Sequence, residues 1–189
     1  MSGRPADALT QIRAARARDP AAALVLSHMA NVYLRSGRLD SAFAEARRAF
    51  ETDSTNVTTL IHGATVYLAM NRPKEAHALV MRLSPIIPTV GNQLARSGDV
   101  AGARQVLRRL DTRPSQWGDE TQRAFTYLGL GDTANALAAL ERATTAGELW
   151  PQNSPLNDEM YDAIRHSVRF RVLIDRVGLG RFAPLIVGR

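Results

Sequence analysis

Two histidines, His28 and His62, stand 34 residues apart. Their imidazoles could ligate a metal or move a proton. A metal ion wants nitrogen ligands at about 2 Å and preferably a third ligand, yet no Asp, Glu or Cys sits beside either histidine in the sequence. Neighbouring helices pack with their axes about 8–10 Å apart, which makes a shared ion awkward. The pair therefore reads as surface-lining or packing residues, and no metal site is expected. His77 and His166 are isolated. Asn31 and Arg35 lie one helical turn apart and could hold a peptide carbonyl and a carboxylate together. Signatures of catalysis are missing: there is no HExxH, no GxSxG and no cysteine, and Gly129-Leu130-Gly131 belongs to a helix–turn junction. Glu141, Glu159 and Asp162 have surface or capping roles open to them. No catalytic residue and no cofactor is expected.

The elements that must position these groups show a period. The stretch from Ala22 to Ser54 reads as two antiparallel helices broken at Ser36-Gly37. Apolar or small residues at Leu26, Met29, Ala30 and Tyr33, then at Ala42, Ala46 and Ala49, mark one buried face on each. Successive turns fall at Gly3, Gly37, Asn71, Gly98 and Gly131, separated by 34, 34, 27 and 33 residues. Five residues beyond each turn stands an alanine: Ala8, Ala42, Ala76, Ala103 and Ala136. Four before the last four stand Tyr33, Tyr67, Leu94 and Tyr127, and three further back Ala30, Ala64, Gly91 and Ala124. Ala15, Ala49, Leu83, Leu110 and Ala143 lie twelve residues past each turn. Small residues let one helix's ridge approach another closely, and the bulky column fills the groove between pairs. Gly or Asn suits a left-handed turn residue. Pro5 and Pro73 suit a first helical turn, and Asp99 and Asp132 can cap the helices that begin just after them.

This arrangement resembles the tetratricopeptide repeat family, whose helix–turn–helix unit carries a small residue, an aromatic, a glycine and two alanines. Ala30, Tyr33, Gly37, Ala42 and Ala49 match it, and Pro20 closes the preceding unit. Ala46 and Ser54 stand where the family prefers an aromatic and a proline. The resemblance covers residues 3–145 and implies an all-α, right-handed superhelix of about four and a half helix pairs. The first unit has only its second helix, as expected of a truncated product or of one segment of a longer chain. Residues 1–150 are taken as the solenoid and 151–189 as capping helices and tail. Two prolines shorten the first helix after Ser84, which is expected to start near Pro88 and run about two turns. Residues 111–118 read as a loop, and the size of Trp117 favours the core. In the C-terminal segment Tyr161, Ile164, Val168, Phe170, Leu173, Ile174 and Val177 give an apolar face for one or two closing helices. The last residues, from Phe182, read as a frayed tail.

The resemblance implies a concave surface lined by the first helix of each pair, in which a peptide or partner protein docks. At the outward positions stand Ser27, His28, Asn31, Arg35, Ile61, His62, Thr65, Asn92 and Arg96, and after these Gln122, Phe125 and Leu128. The function expected is a non-catalytic scaffold binding a protein or peptide. A second reading comes from the ending Tyr161 to Leu179, which looks like that of bacterial repeat regions behind winged-helix, Ser/Thr kinase or cyclase domains; the chain would then be a regulatory tail. The net charge is +6, and 23 of the 24 basic residues are arginine. Arg13, Arg47, Arg48, Arg82, Arg108, Arg109 and Arg142 recur near the ends of second helices as a convex basic stripe. With aromatics at only 6%, base stacking has little to work with, so nucleic acid is not the expected partner. No apolar run reaches membrane-spanning length and no leader is visible, so the cytoplasm is the default compartment.

Overall fold

The computed structural model describes residues 5–19, 21–148, 150, 156 and 158–181. Among the described residues there are ten α-helices and no strand. They fall into two units, residues 4–84 and 85–189. The turn assigned to Gly3, the closing Pro20 and the tail from Phe182 lie outside the described residues.

The first unit contains α1 (Pro5–Arg18), α2 (Ala23–Arg35), α3 (Leu39–Thr52), α4 (Val57–Ala69) and α5 (Pro73–Val80). Here α2 packs against α3 and α4 against α5 as hairpins; α4 also packs on α2 and α3, and α1 lies on α2. The second contains α6 (Val90–Arg96), α7 (Val100–Thr112), α8 (Asp119–Gly129), α9 (Thr133–Thr145), a 3-10 turn (Glu159–Tyr161) and α10 (Val168–Arg176). Within it α6 pairs with α7, and α8 with α9. The first helices α6 and α8 pack side by side, and α10 rests on α9. In each unit, then, hairpin succeeds hairpin in the order that the alanine columns predict.

The turns show why the columns keep step. Gly37, Asn71, Gly98 and Gly131 all adopt positive φ, Asn71 at 56°. The next residue then donates its backbone N–H back to the carbonyl of the bulky column. Arg38 to Tyr33, Arg72 to Tyr67, Asp99 to Leu94 and Asp132 to Tyr127 all measure 2.9 Å. This closure satisfies carbonyls that a helix end otherwise leaves unpaired. Ala42, Ala76, Ala103 and Ala136 are all completely buried, because each sits where two helices approach most closely.

The two units finish the turn differently. Asp99 and Asp132 cap α7 and α9 by accepting from Gly102 N–H at 2.8 Å and Asn135 N–H at 3.1 Å. At the equivalent points of the first unit stand arginines, which stack instead. Arg38 lies over Tyr33 at 5.7 Å. Arg72 lies 5.0 Å from the Tyr67 ring centre and 5.7 Å from that of Phe43, and its Nε donates to Glu75 at 2.8 Å. Phe43, edge-on to Tyr67 at 5.9 Å, supplies the aromatic bulk that Ala46 lacks.

Between Val80 and Val90 the chain turns irregularly, and α6 has only 7 residues, about the two turns expected. The carbonyls of this stretch are satisfied from α8, where Gln122 Nε2 donates to Pro85 O at 2.8 Å and Ile87 O at 3.2 Å. In the loop before α8, Asp119 pairs with Arg113 and accepts from Gln116 N–H at 2.8 Å. Trp117 does not enter the core as its size predicted. It is 63% exposed, because Asp119 fixes the loop by polar bonds that need no apolar anchor.

Candidate binding face

At the register of Ala30 and Ala64, α2 and α4 meet in a polar seam. Ser27 is buried and its hydroxyl shares a 2.9 Å hydrogen bond with Thr59. His62 donates from Nδ1 to the Ser27 carbonyl at 2.9 Å, since that oxygen can only accept. His28, on the exposed side of α2, meets His62 edge-on with ring centres 5.2 Å apart. Burial pushes the His62 imidazole down to about 4, helped by the charges of His28 and Arg35 and opposed by the Ser27 bond. Burial also lowers His28. Both rings are neutral at pH 7.

Asn31 and Arg35 first bind each other: Arg35 Nε donates to Asn31 Oδ1 at 2.5 Å. This fixes the guanidinium at the C-terminal end of α2. Ile61 and Thr65 on α4 are partly exposed, and the Thr65 hydroxyl donates to the Ile61 carbonyl at 2.9 Å. The structure thus brings Ser27, His28, Asn31, Arg35 and His62 into one seam, with Ile61 and Thr65 beside it on α4. Neither α2 nor α4 contains an acidic residue.

In the second unit the same helix positions are occupied from within. Asn92 is buried, and its Nδ2 donates to the Phe125 carbonyl at 3.0 Å. Arg96 pairs with Glu159 at 2.5 Å. Gln122, Phe125 and Leu128 were expected to face outward with the others, and this needs correction: all three are buried. The 3-10 turn packs on α8, and Tyr161 meets Phe125 edge-on with ring centres 6.1 Å apart. Trp150, Tyr161 and Phe170 are fully or almost fully buried and form an aromatic cluster, stacked at 5.6 Å between Tyr161 and Phe170. They share one core with Phe125, Leu140, Ile164, Leu173 and Ile174. Glu148 closes the other end of α8, its carboxylate accepting from Thr121 N–H and hydroxyl at 2.7 Å each. Thr59 and Glu148 carry no local sequence signal, and Glu159 reads only as a surface or capping residue; each finds its partner from 27 to 63 residues away, beyond any local period. The aromatic residues Trp150, Tyr161 and Phe170 were the available signal that this segment packs into the core of α8 and α9.

The arginines of the expected basic stripe are largely engaged. Arg47 pairs with Glu51 at 3.2 Å and Arg142 with Glu120 at 2.8 Å. Arg48 reaches Glu45 at 3.4 Å. Arg82 donates to Ser54 O at 2.6 Å while lying over Phe50, and Arg109 binds the Pro85 carbonyl. Among the described residues no three His, Cys, Asp or Glu side chains gather as a metal cluster. No described helix is long and apolar enough to cross a membrane.

Comparison with known proteins gives two matches of one kind. A family model described as tetratricopeptide repeat matches residues 2–56, and a second with the same description matches residues 91–109. No curated protein and no solved structure matches the chain.

Proposed function

Starting from a chain that is a tetratricopeptide repeat protein, we propose a non-catalytic scaffold that docks an extended peptide segment of a partner protein on the α2–α4 face. Repeats of this family in general mediate protein–protein interaction. The observation carrying the finer reading is the contrast in coverage. His28 is exposed and Ile61, His62 and Thr65 are partly so, whereas on α8 Gln122 is buried against the Pro85 and Ile87 carbonyls and Phe125 under Tyr161 of the C-terminal segment. Arg35, held in place by Asn31, lies at the C-terminal end of α2 on this face. A peptide carbonyl or carboxylate suits it. Because the face is preformed, the scaffold loses little conformational entropy on binding.

Ser27 and Asn31 act from beneath the surface, and Asn92 and Arg96, already engaged by Phe125 and Glu159, are left out of the narrowed face. A photocrosslinking residue at Ile61 should trap a partner in the native host, and one at Arg108 on α7 should not. Crosslinking at Arg108 alone would reject the reading. The apolar letters of the ending from Tyr161 to Leu179 are core residues here, with Tyr161, Ile164, Phe170, Leu173 and Ile174 buried. Packing accounts for these apolar residues.

A further inference from the structure

The α2–α4 seam holds a pair that peptide docking does not require. The His28 and His62 ring centres lie 5.2 Å apart with planes at 65°. Two imidazoles ligating one tetrahedral ion at metal–nitrogen distances of about 2.0–2.1 Å have ring centres about 5.2 Å apart. Rotation about each metal–nitrogen bond leaves the angle between the planes free. The hydrogen bond from His62 to the Ser27 carbonyl puts that ring's proton on Nδ1 and its lone pair on Nε2. Metal-binding histidines are commonly oriented in this manner, by an acceptor on the nitrogen that does not ligate. Helix spacing argued against a shared ion; the side chains close the gap that the axes leave.

We propose that His28 and His62 form a two-nitrogen site for a late first-row divalent ion, zinc foremost, whose remaining positions are open to water. Imidazole suits such ions, and tetrahedral geometry favours zinc. Among the described residues no third His, Cys, Asp or Glu side chain completes the set, and the Arg35 charge acts on His62 and opposes a cation. The affinity is accordingly micromolar, weaker than that of a closed structural site.

Titration of zinc chloride into the full chain near neutral pH, measured by calorimetry, tests this. One ion should bind per chain. His28→Ala, at an exposed position that leaves the fold intact by circular dichroism, should weaken binding at least about tenfold. Arg35→Gln should tighten it, and His166→Ala should leave it unchanged. Zinc binding to His28→Ala equal to that of the unaltered chain, or no uptake up to millimolar zinc, overturns the site and leaves the pair as edge-to-face packing only.

Discussion

The faces of α4 and α8 occupy one register and meet different fates. His62, Thr65 and Leu68 on α4 are partly exposed, whereas Gln122, Phe125 and Leu128 on α8 are buried. The helices are alike in their backbone closures and in the fully buried Ala64 and Ala124. The difference lies in the side chain presented. A threonine at the central position bonds to its own helix, whereas a phenylalanine recruits Tyr161, Trp150 and Phe170 as cover. A repeat therefore specifies the stacking, and the residues outside the repeat columns decide which stretch of the surface stays free.

The strongest way to break the contrast is to remove the cover. Trp150→Ala should cost about 3–5 kcal/mol in urea denaturation, because the indole is fully buried and also donates to Thr144 Oγ1 at 2.9 Å. Trp117→Ala, at the exposed loop tip, should stay within about 0.5 kcal/mol. Equal effects at the two tryptophans would refute the account of how α8 is covered.

Next in size is the helix contact beneath that cover. A Cβ built on Gly129 would come within 2.7 Å of the Asn92 backbone, which has no side-chain freedom to yield. Gly129→Ala should destabilise by about 2 kcal/mol, despite alanine's better helix propensity. The matching residue of α4 is already Ala69, so Ala69→Gly should cost only about 1 kcal/mol.

The first unit has its own test, in pH. His62 titrates at about 4 in the fold against 6.5 ordinarily, so folding favours its neutral form. That contribution is complete above pH 6.5 and is lost as pH falls from 6.5 toward 4, amounting to about 2 kcal/mol at pH 5. The groups facing the ring are His28 and Arg35, both of which add to the penalty on protonation. Amide exchange in α2 and α4 should accelerate across that window, and His62→Gln should flatten the dependence. The smallest effect expected is that of Arg96→Ala. Its partner Glu159 is 40% exposed at the side chain, and removing the pair should cost less than about 1 kcal/mol.

How far the letters alone reach depends on the range of the forces involved. Ala42, Ala76, Ala103 and Ala136 announce the hairpins because each contact is made with a helix one turn away in sequence. Asp99 and Asp132 announce their caps for the same reason. The short α6 was visible in Pro85 and Pro88. The fate of Phe125 was not, because its cover arrives from Tyr161, and no spacing rule links the two. Trp117 was misplaced by its volume alone, since the polar grip of Asp119 on Arg113 and Gln116 N–H decides that loop. His28 and His62 share a repeat position, but helix-axis spacing hid how closely their rings meet.

Arg72, flanked by the rings of Tyr67 and Phe43, bears on how this chain can drift over generations. A flat guanidinium spreads its charge over a ring face and still reaches Glu75, a geometry that a compact ammonium does not reproduce. Exchange to lysine would pass unnoticed at Arg47 on the solvent side. At Arg72 it would loosen the joint between consecutive repeats, because an ammonium does not lie flat against Tyr67 and Phe43 while reaching Glu75.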